Sequence, residues 1–219
     1  MKIIVFADIH GAVRPFSRIP EEISVADVVV LAGDITNFGR EKDARQVIDA
    51  IRTQNRNILA VPGNCDYPEV EKYLTNVGMN LDCDGAILKD VAFIGVGGSL
   101  PCPGRTPNEY SEEALRTCAD SGFAQLGTIH PFILIAHQPP HDTVADGIKD
   151  WHVGSNAIRA FIEKHQPIVC VTGHIHEGKG VDNIGGTKVV NPGPFSKGNY
   201  AIIDIIDRNV EIEIRNVRD

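Results

Sequence analysis

The chain has 219 residues, 42% of them hydrophobic and 23% charged, with a formal net charge of -8 from 21 basic and 29 acidic side chains. That length suits a single domain, residues 1–219, with a self-sufficient core. The acidic balance, with no basic tract, argues against a protein that grips duplex nucleic acid. The five cysteines (Cys65, Cys83, Cys102, Cys118 and Cys170) are odd in number and irregular in spacing. This speaks against a disulfide framework and for a reducing cytoplasm. The apolar start, Met1 to Ala7, stops at Asp8 and is too short for a signal peptide. No run approaches the roughly 20 apolar residues of a membrane helix.

In chain order, Lys2 to Ala7 is an apolar run rich in Ile and Val, and Asp27 to Ala32 is another, ended by Gly33. Between Arg40 and Thr53, Ala44, Val47, Ile48 and Ile51 recur at helical spacing. Asn57 to Val61 reads as a third strand, stopped by Pro62-Gly63, with a helix from Pro68 to about Asn76. Strand and helix in alternation imply parallel pairing with right-handed crossovers. Ala86 to Leu88 and Val91 to Val96 form a hairpin around Lys89-Asp90, and Gly97 to Asn108, rich in Gly and Pro, is loop. Ser111 with Glu112 and Glu113 reads as an N-cap followed by first-turn acids, opening a helix to about Ser121.

Phe132 to Ala136 is a buried strand, and Gln138 to His152 is a long polar loop of the kind that carries function. A helix spans Gly154 to His165, and a strand runs from Ile168 to Thr172. Val181 to Ile184, Lys188 to Val190, Tyr200 to Ile206 and Val210 to Ile214 read as consecutive antiparallel strands. Their turns fall at Gly185-Gly186, Gly193-Pro194 and Asp207-Arg208-Asn209. The expectation is one α/β domain with two sheets.

Polar residues directly follow these apolar runs: Asp8 and His10, Asp34, Asn64 with Cys65 and Asp66, His137, then His174 and His176. Strand ends of an α/β sheet present side chains to a shared crevice. Carboxylates and imidazoles are costly to bury unless paired or metal-bound. Two Asp, one Asn and four His therefore read as a cage for two divalent metals. Mixed nitrogen and oxygen ligands suit Mn, Fe, Zn, Co or Ni, and Mn is preferred.

The ordered set from Asp8 to His176 resembles the calcineurin-like metallophosphoesterase superfamily. Gly97-Gly98-Ser99-Leu100, Asn108-Glu109-Tyr110-Ser111 and Asn191-Pro192-Gly193-Pro194 are similar to its small prokaryotic members. The resemblance implies two mixed β-sheets packed as a sandwich and flanked by helices, a four-layer fold. It implies that Asp8, His10 and His176 hold one metal, that Asn64, His137 and His174 hold the other, and that Asp34 bridges them. It also implies hydrolysis of a small phosphoester by in-line attack of a metal-bridging hydroxide, with no membrane or duplex nucleic acid as partner.

One position departs from the family pattern. The usual Gly-Asn-His-Asp/Glu stands here as Gly63-Asn64-Cys65-Asp66. The resemblance assigns that His to phosphate contact and leaving-group protonation, with the acid orienting it. Cys65 is a weak donor that never carries positive charge, so Asp66 is expected to lose its usual partner and protonation to be impaired. Cys-bearing members are associated with phosphodiesterase activity, and a diester carries one charge fewer than a monoester and depends less on a cationic His. Other readings are a neutral replacement, a metal-binding thiol or, with no evident base, a covalent nucleophile. A monoesterase or protein phosphatase, and a non-catalytic protein-binding scaffold on the same fold, are the alternatives. A scaffold would be expected to lose ligands, and all seven are present. Arg105, His141, Asp142, Trp151, His152 and Lys179 are loop candidates for substrate selection.

Overall fold

The computed structural model describes residues 1–126, 131–207 and 209–218. β1 (Lys2–Phe6), β2 (Val28–Ala32) and β3 (Ile58–Val61) pair in parallel, and β12 (Asn199–Ile206) and β13 (Asn209–Asn216) extend that sheet antiparallel beside β1. The second sheet has the order β10-β11-β9-β6-β5-β4. Its strands are β4 (Gly85–Leu88), β5 (Val91–Val96), β6 (Phe132–Ala136), β9 (Val169–Val171), β10 (Gly180–Ile184) and β11 (Thr187–Asn191). The middle strands β5, β6, β9 and β11 run parallel, and the edges β4 and β10 pair antiparallel.

Successive side chains on a strand point to opposite faces, and here both faces are covered. Ile3 and Val5 of β1 join Val28 and Val30 against Phe93, Ile133 and Val169, forming the seam between the sheets. Ile4 and Phe6 point the other way, toward α2 (Glu41–Arg52) and α3 (Pro68–Asn76). On the far side, Ile94, Leu134 and Cys170 face α4 (Glu112–Gln125) and α5 (Asn156–His165). This explains why the strands read as unbroken apolar runs. The result is helices, sheet, sheet, helices, as expected.

Several details differ from the sequence reading. Arg14–Arg18 is a 3-10 turn, and Pro20–Val25 forms the short α1, too brief to show a period. α4 runs on to Gln125. The loop after His137 holds a 3-10 turn (Val144–Asp146) and a small hairpin of β7 (Gly147–Ile148) and β8 (Trp151–His152). The last strands are not one consecutive antiparallel set, because β11 and β12 lie in different sheets. Pro192 and Pro194 lack the N–H that continues a ladder. The chain instead crosses over, and Phe195 and Ser196 donate backbone N–H groups to the Ala7 and Asp8 carbonyls. Arg208, in the expected last turn, lies outside the described residues.

Cys83 and Cys118 form a disulfide across 35 residues, contrary to the sequence expectation. α4 packs over β4 and β5 and brings the pair together, a proximity that spacing along the chain does not reveal.

Ser111 caps α4 by accepting from the Ala114 N–H at 3.2 Å, as expected. Glu112 then reaches the start of α5, accepting from Asn156 and Ala157 N–H at 2.9 Å each and from the Ser155 hydroxyl. It thus serves as an extra anionic cap on a second helix. Glu112→Ala should lower unfolding free energy by about 1–2 kcal/mol, the scale of a lost cap. Urea denaturation beside Glu113→Ala, whose carboxylate is exposed on the same turn, measures this.

Candidate metal centre

Each expected ligand follows a strand, and both sheets deliver theirs to one place. β1 leads to Asp8 and His10, β2 to Asp34, β3 to Asn64, β6 to His137, and β9 to His174 and His176. Asp8, His10 and His176 form one group whose ligand atoms lie within 4.8 Å of one another. Asp8, Asp34 and His137 form another, and His10, Asp34 and Cys65 a third. Asp34 lies between His10 and His137, its Oδ2 3.8 Å from His10 Nε2 and its Oδ1 3.4 Å from His137 Nε2. Asn64 Oδ1 lies 3.0 Å from His137 Nε2, and the His137 and His174 ring centroids are 5.3 Å apart.

The backbone bends sharply to gather these groups. Asp8, His10, Asp34 and His174 all have positive φ, between 48° and 66°. For non-glycine residues that region costs of order 1 kcal/mol each. The glycines before the ligands serve close approach. A Cβ on Gly33 would stand 2.2 Å from His137 Nδ1, and one on Gly63 would stand 2.1 Å from the Asp34 amide nitrogen and Oδ1.

Hydrogen bonding and charge prepare the set for cations. The His137 Nδ1 lies 2.7 Å from the Ala32 carbonyl. With its proton there, Nε2 keeps its lone pair toward the centre. Burial, together with the charge of His137, pushes the His174 pKa down to about 4, so its imidazole is neutral and able to ligate. Burial would raise Asp8, but its hydrogen bond with His176 and the charges of His137, His176 and His10 hold it below the usual carboxylate value.

The donor set fits divalent ions. Asp8 Oδ2 and His10 Nδ1 are buried with no hydrogen-bond partner among the described residues. The Nε2 atoms of His10 and His176 face each other at 3.3 Å. Two imidazole nitrogens that close need either a shared proton or a cation between them, and the adjoining Asp8 and Asp34 carboxylates favour a divalent ion.

Asp66 does not stand orphaned beside Cys65, as the sequence led one to expect. It accepts from the backbone N–H of Ile35, Thr36 and Gly63 and from the Thr36 hydroxyl, at 2.7–3.0 Å. Burial and the nearby Asp34 push its pKa up to about 6, against those four donors. Its carboxylate fastens the loop after β2 to the loop after β3. Cys65 donates its N–H to Asp34 Oδ1 at 2.8 Å, and its thiol pKa is raised by burial and by Asp34.

Three contributors were not singled out from the sequence as site residues. Thr36 is one. Asn191, quoted only as part of a resemblance, donates to the Ile175 carbonyl at 2.8 Å and to Gly173 at 3.4 Å, bracing the His174 loop. Cys102 places its sulfur 3.7 Å from His174 Nε2. Only its position in a Gly/Pro-rich loop hinted at this.

Of the loop candidates, His141, Asp142 and His152 belong to none of the ligand groups. Lys179 is tied to Asn199 Oδ1 at 3.1 Å, and Arg105 is exposed. The carbonyls of His141 and Asp142 accept from Arg159 on α5. Trp151 is 75% exposed and packs in none of the core clusters. His152 pairs with the buried Asp146 at 2.7 Å, and Asp146 also accepts from the N–H groups of Thr143 and Gly154.

A sandwich of two sheets that gathers Asp, Asn and His at its strand ends is the architecture of a metallophosphoesterase. The chain belongs to the calcineurin-like phosphoesterase family, whose model matches residues 1–178. It is 38% identical over 215 residues to an uncharacterised protein of Methanocaldococcus jannaschii, covering 93% of this chain and 96% of that protein. A UPF0046 protein of Caenorhabditis elegans is 26% identical over 220 residues, covering 91% and 71%. In structure the chain is similar to a Thermus thermophilus protein, with a TM-score of 0.78 at 21% identity over 99% of each chain. It is also similar to a dimetal phosphatase from Danio rerio, with a TM-score of 0.69 at 12% identity over 99% and 96%. These structural likenesses show the fold, and the family makes the protein a phosphoric ester hydrolase with a divalent-metal site. Among the described residues, no helix is long and apolar enough to cross a membrane.

Two outcomes follow from this geometry. Gly63→Ala should fold yet retain well under half the metal of the native protein by elemental analysis. Gly104→Ala, like Gly63 not at positive φ but with nothing within 4 Å of an added Cβ, should retain it all. Asp146 raises the His152 pKa above its ordinary 6.5. The pair's contribution is therefore complete below pH 6.5 and lost as pH rises through the raised value. A proton NMR titration should place the His152 midpoint above 6.5 and return it toward 6.5 in Asp146→Asn.

Proposed function

We propose that this protein hydrolyses a small phosphodiester in the cytoplasm with two divalent ions, manganese by preference. Asp8, His10 and His176 would hold one, Asn64, His137 and His174 the other, and Asp34 both. When bound, such a pair supplies an acidified water as nucleophile and neutralises charge on the phosphoryl oxygens.

The protein's own groups do the rest. Asp8 and Asp34 are 0% and 3% exposed, which keeps bulk water from screening the charges at the reacting phosphorus. The Ala32 carbonyl fixes the His137 tautomer. The clamp from Asp66 to Ile35, Thr36 and Gly63 holds Asp34 and Asn64 in register. Positioning of this kind is most of what phosphoryl transfer asks of a protein.

The diester preference is carried by Cys65. Its sulfur shares a group with His10 and Asp34, so residue 65 faces the centre. A thiol is a weak donor without positive charge. It offers little to a monoester dianion and gives no strong acid to a poor leaving group. A diester, with one charge fewer than a monoester dianion, loses least by the missing cation. Cys65 and Cys102 are free thiols beside the centre, outside the Cys83–Cys118 disulfide.

Manganese-loaded protein should cleave bis-p-nitrophenyl phosphate with a kcat/KM at least tenfold above that for p-nitrophenyl phosphate, a gap of about 1.4 kcal/mol. Asn64→Ala should abolish both. Cys65→His should narrow the ratio by raising monoester turnover. A native preference for the monoester would refute the role given to Cys65.

A further inference from the structure

A cavity of about 140 Å3 lies on the turns next to the Asp8–His10 loop, lined by Arg14, Arg18, Lys197 and Arg218 together with Ser196. Among the described residues, no acidic residue lines it. All four cations are exposed, and none of them makes an ion pair among the described residues. In a chain of net charge -8, with only 21 basic side chains, four converge on one hollow. Like charges held together without acids raise the local potential and favour an anion between them.

The hollow is joined to the centre by short links. Arg14 and Arg18 sit on the 3-10 turn that follows the Asp8–His10 loop. Lys197 ends the turn whose Ser196 N–H donates to the Asp8 carbonyl at 3.2 Å. The centre is also open on this side. The His10 and His176 side chains are 18% and 35% exposed, whereas His137 is fully buried. A substrate therefore reaches the ligands from the His10 and His176 edge, beside the cationic hollow.

We propose that this hollow is a subsite for a second phosphate group of the substrate, so that the diester cleaved carries a further terminal phosphate. The proposal rests on the diesterase reading above. Guanidinium pairs match phosphate oxygens bidentately, and Lys197 adds a point charge. A diester lacking the second phosphate leaves the subsite empty and loses affinity, while the chemistry at its phosphorus is unchanged.

The kinetic test compares thymidine 5′-(p-nitrophenyl phosphate) with and without a 3′-phosphate, using manganese-loaded native protein and the double variant Arg14→Glu/Arg18→Glu. In the native protein the 3′-phosphate should lower KM by about tenfold at low salt. The double variant should lose that gain and keep native kcat and KM for the ester without it. A second measurement reads the hollow directly, by titrating inorganic phosphate into zinc-loaded, 15N-labelled protein. Saturable shifts are expected at the amides of Ser196, Gly198 and Arg218, and the double variant should lose them. Shifts confined to Gly33 and Asn64 would overturn the subsite. Saturable shifts with equal KM for the two esters would overturn its assignment to substrate and leave a site for free phosphate. Shifts with neither ester cleaved would sink the diesterase reading while upholding anion binding in the hollow.

Discussion

The structure hinges on two carboxylates, Asp8 and Asp34, buried at the junction of the sheets. An anion removed from water costs several kcal/mol unless something compensates it. Asp8 has one oxygen held by the His174 N–H at 3.0 Å and the other with no partner among the described residues. The histidines around it are arranged as lone-pair donors, with the His137 proton directed to a carbonyl and His174 kept neutral. The histidines compensate part of that charge; bound cations would complete it, and the local backbone accepts strain that leaves room for them. Four ligands adopt left-handed backbone, and Gly33 and Gly63 sit where a Cβ would strike His137 or Asp34. The rigid sheets over-determine loops that would relax if left alone.

The two halves of the centre differ in how they are enclosed. Around Asn64, His137 and His174, the loop from Gly97 is laced down. Leu100 donates to Gln138 Oε1, Asn108 donates from its backbone to the Asn64 carbonyl and from its side chain to Gly63, and Cys102 approaches His174. The Asp82 carboxylate, beside the Cys83–Cys118 disulfide, anchors the loop's start by accepting from the Gly97 N–H at 2.6 Å. His10 and His176 are more exposed, at 18% and 35%, and the neighbouring turns there present cations. One half is thus enclosed by loop hydrogen bonds and the other more exposed, which under the proposed function would hold a metal on one side and admit substrate on the other.

The sheet strands, and the strand-end positions of the candidate ligands, were legible because local signals agreed. Each apolar run is long enough to be a buried strand, and each ends in Gly or directly in a ligand. Pairing was less legible. β12 lies beside β1, with Lys2 opposite Asp204, through contacts some 200 residues apart, and nothing local marks that register. The same holds for Cys83 and Cys118, joined only because α4 folds across the sheet. Asp146 was hidden for another reason. Its partners, Thr143, His152 and Gly154, surround it only once the loop closes on itself. The α1 turn of Pro20–Val25 is six residues long, shorter than the two helical turns a period requires.

Asp66 shows why position 65 can hold a cysteine at all. If the acid existed only to orient a histidine, losing that histidine would leave a buried charge without partners, and the loop would pay several kcal/mol. Instead three amides and one hydroxyl satisfy Asp66, and none of them belongs to residue 65. The clamp that sets Asp34 and Asn64 is therefore independent of the side chain between them. Cys65 contributes to the cage through its backbone N–H, which any residue but proline supplies to Asp34. The metal-holding geometry and the group presented to the leaving oxygen are thus separable. Substitution at one position can change what the centre does to a phosphoester without loosening the cage that would bind its metals.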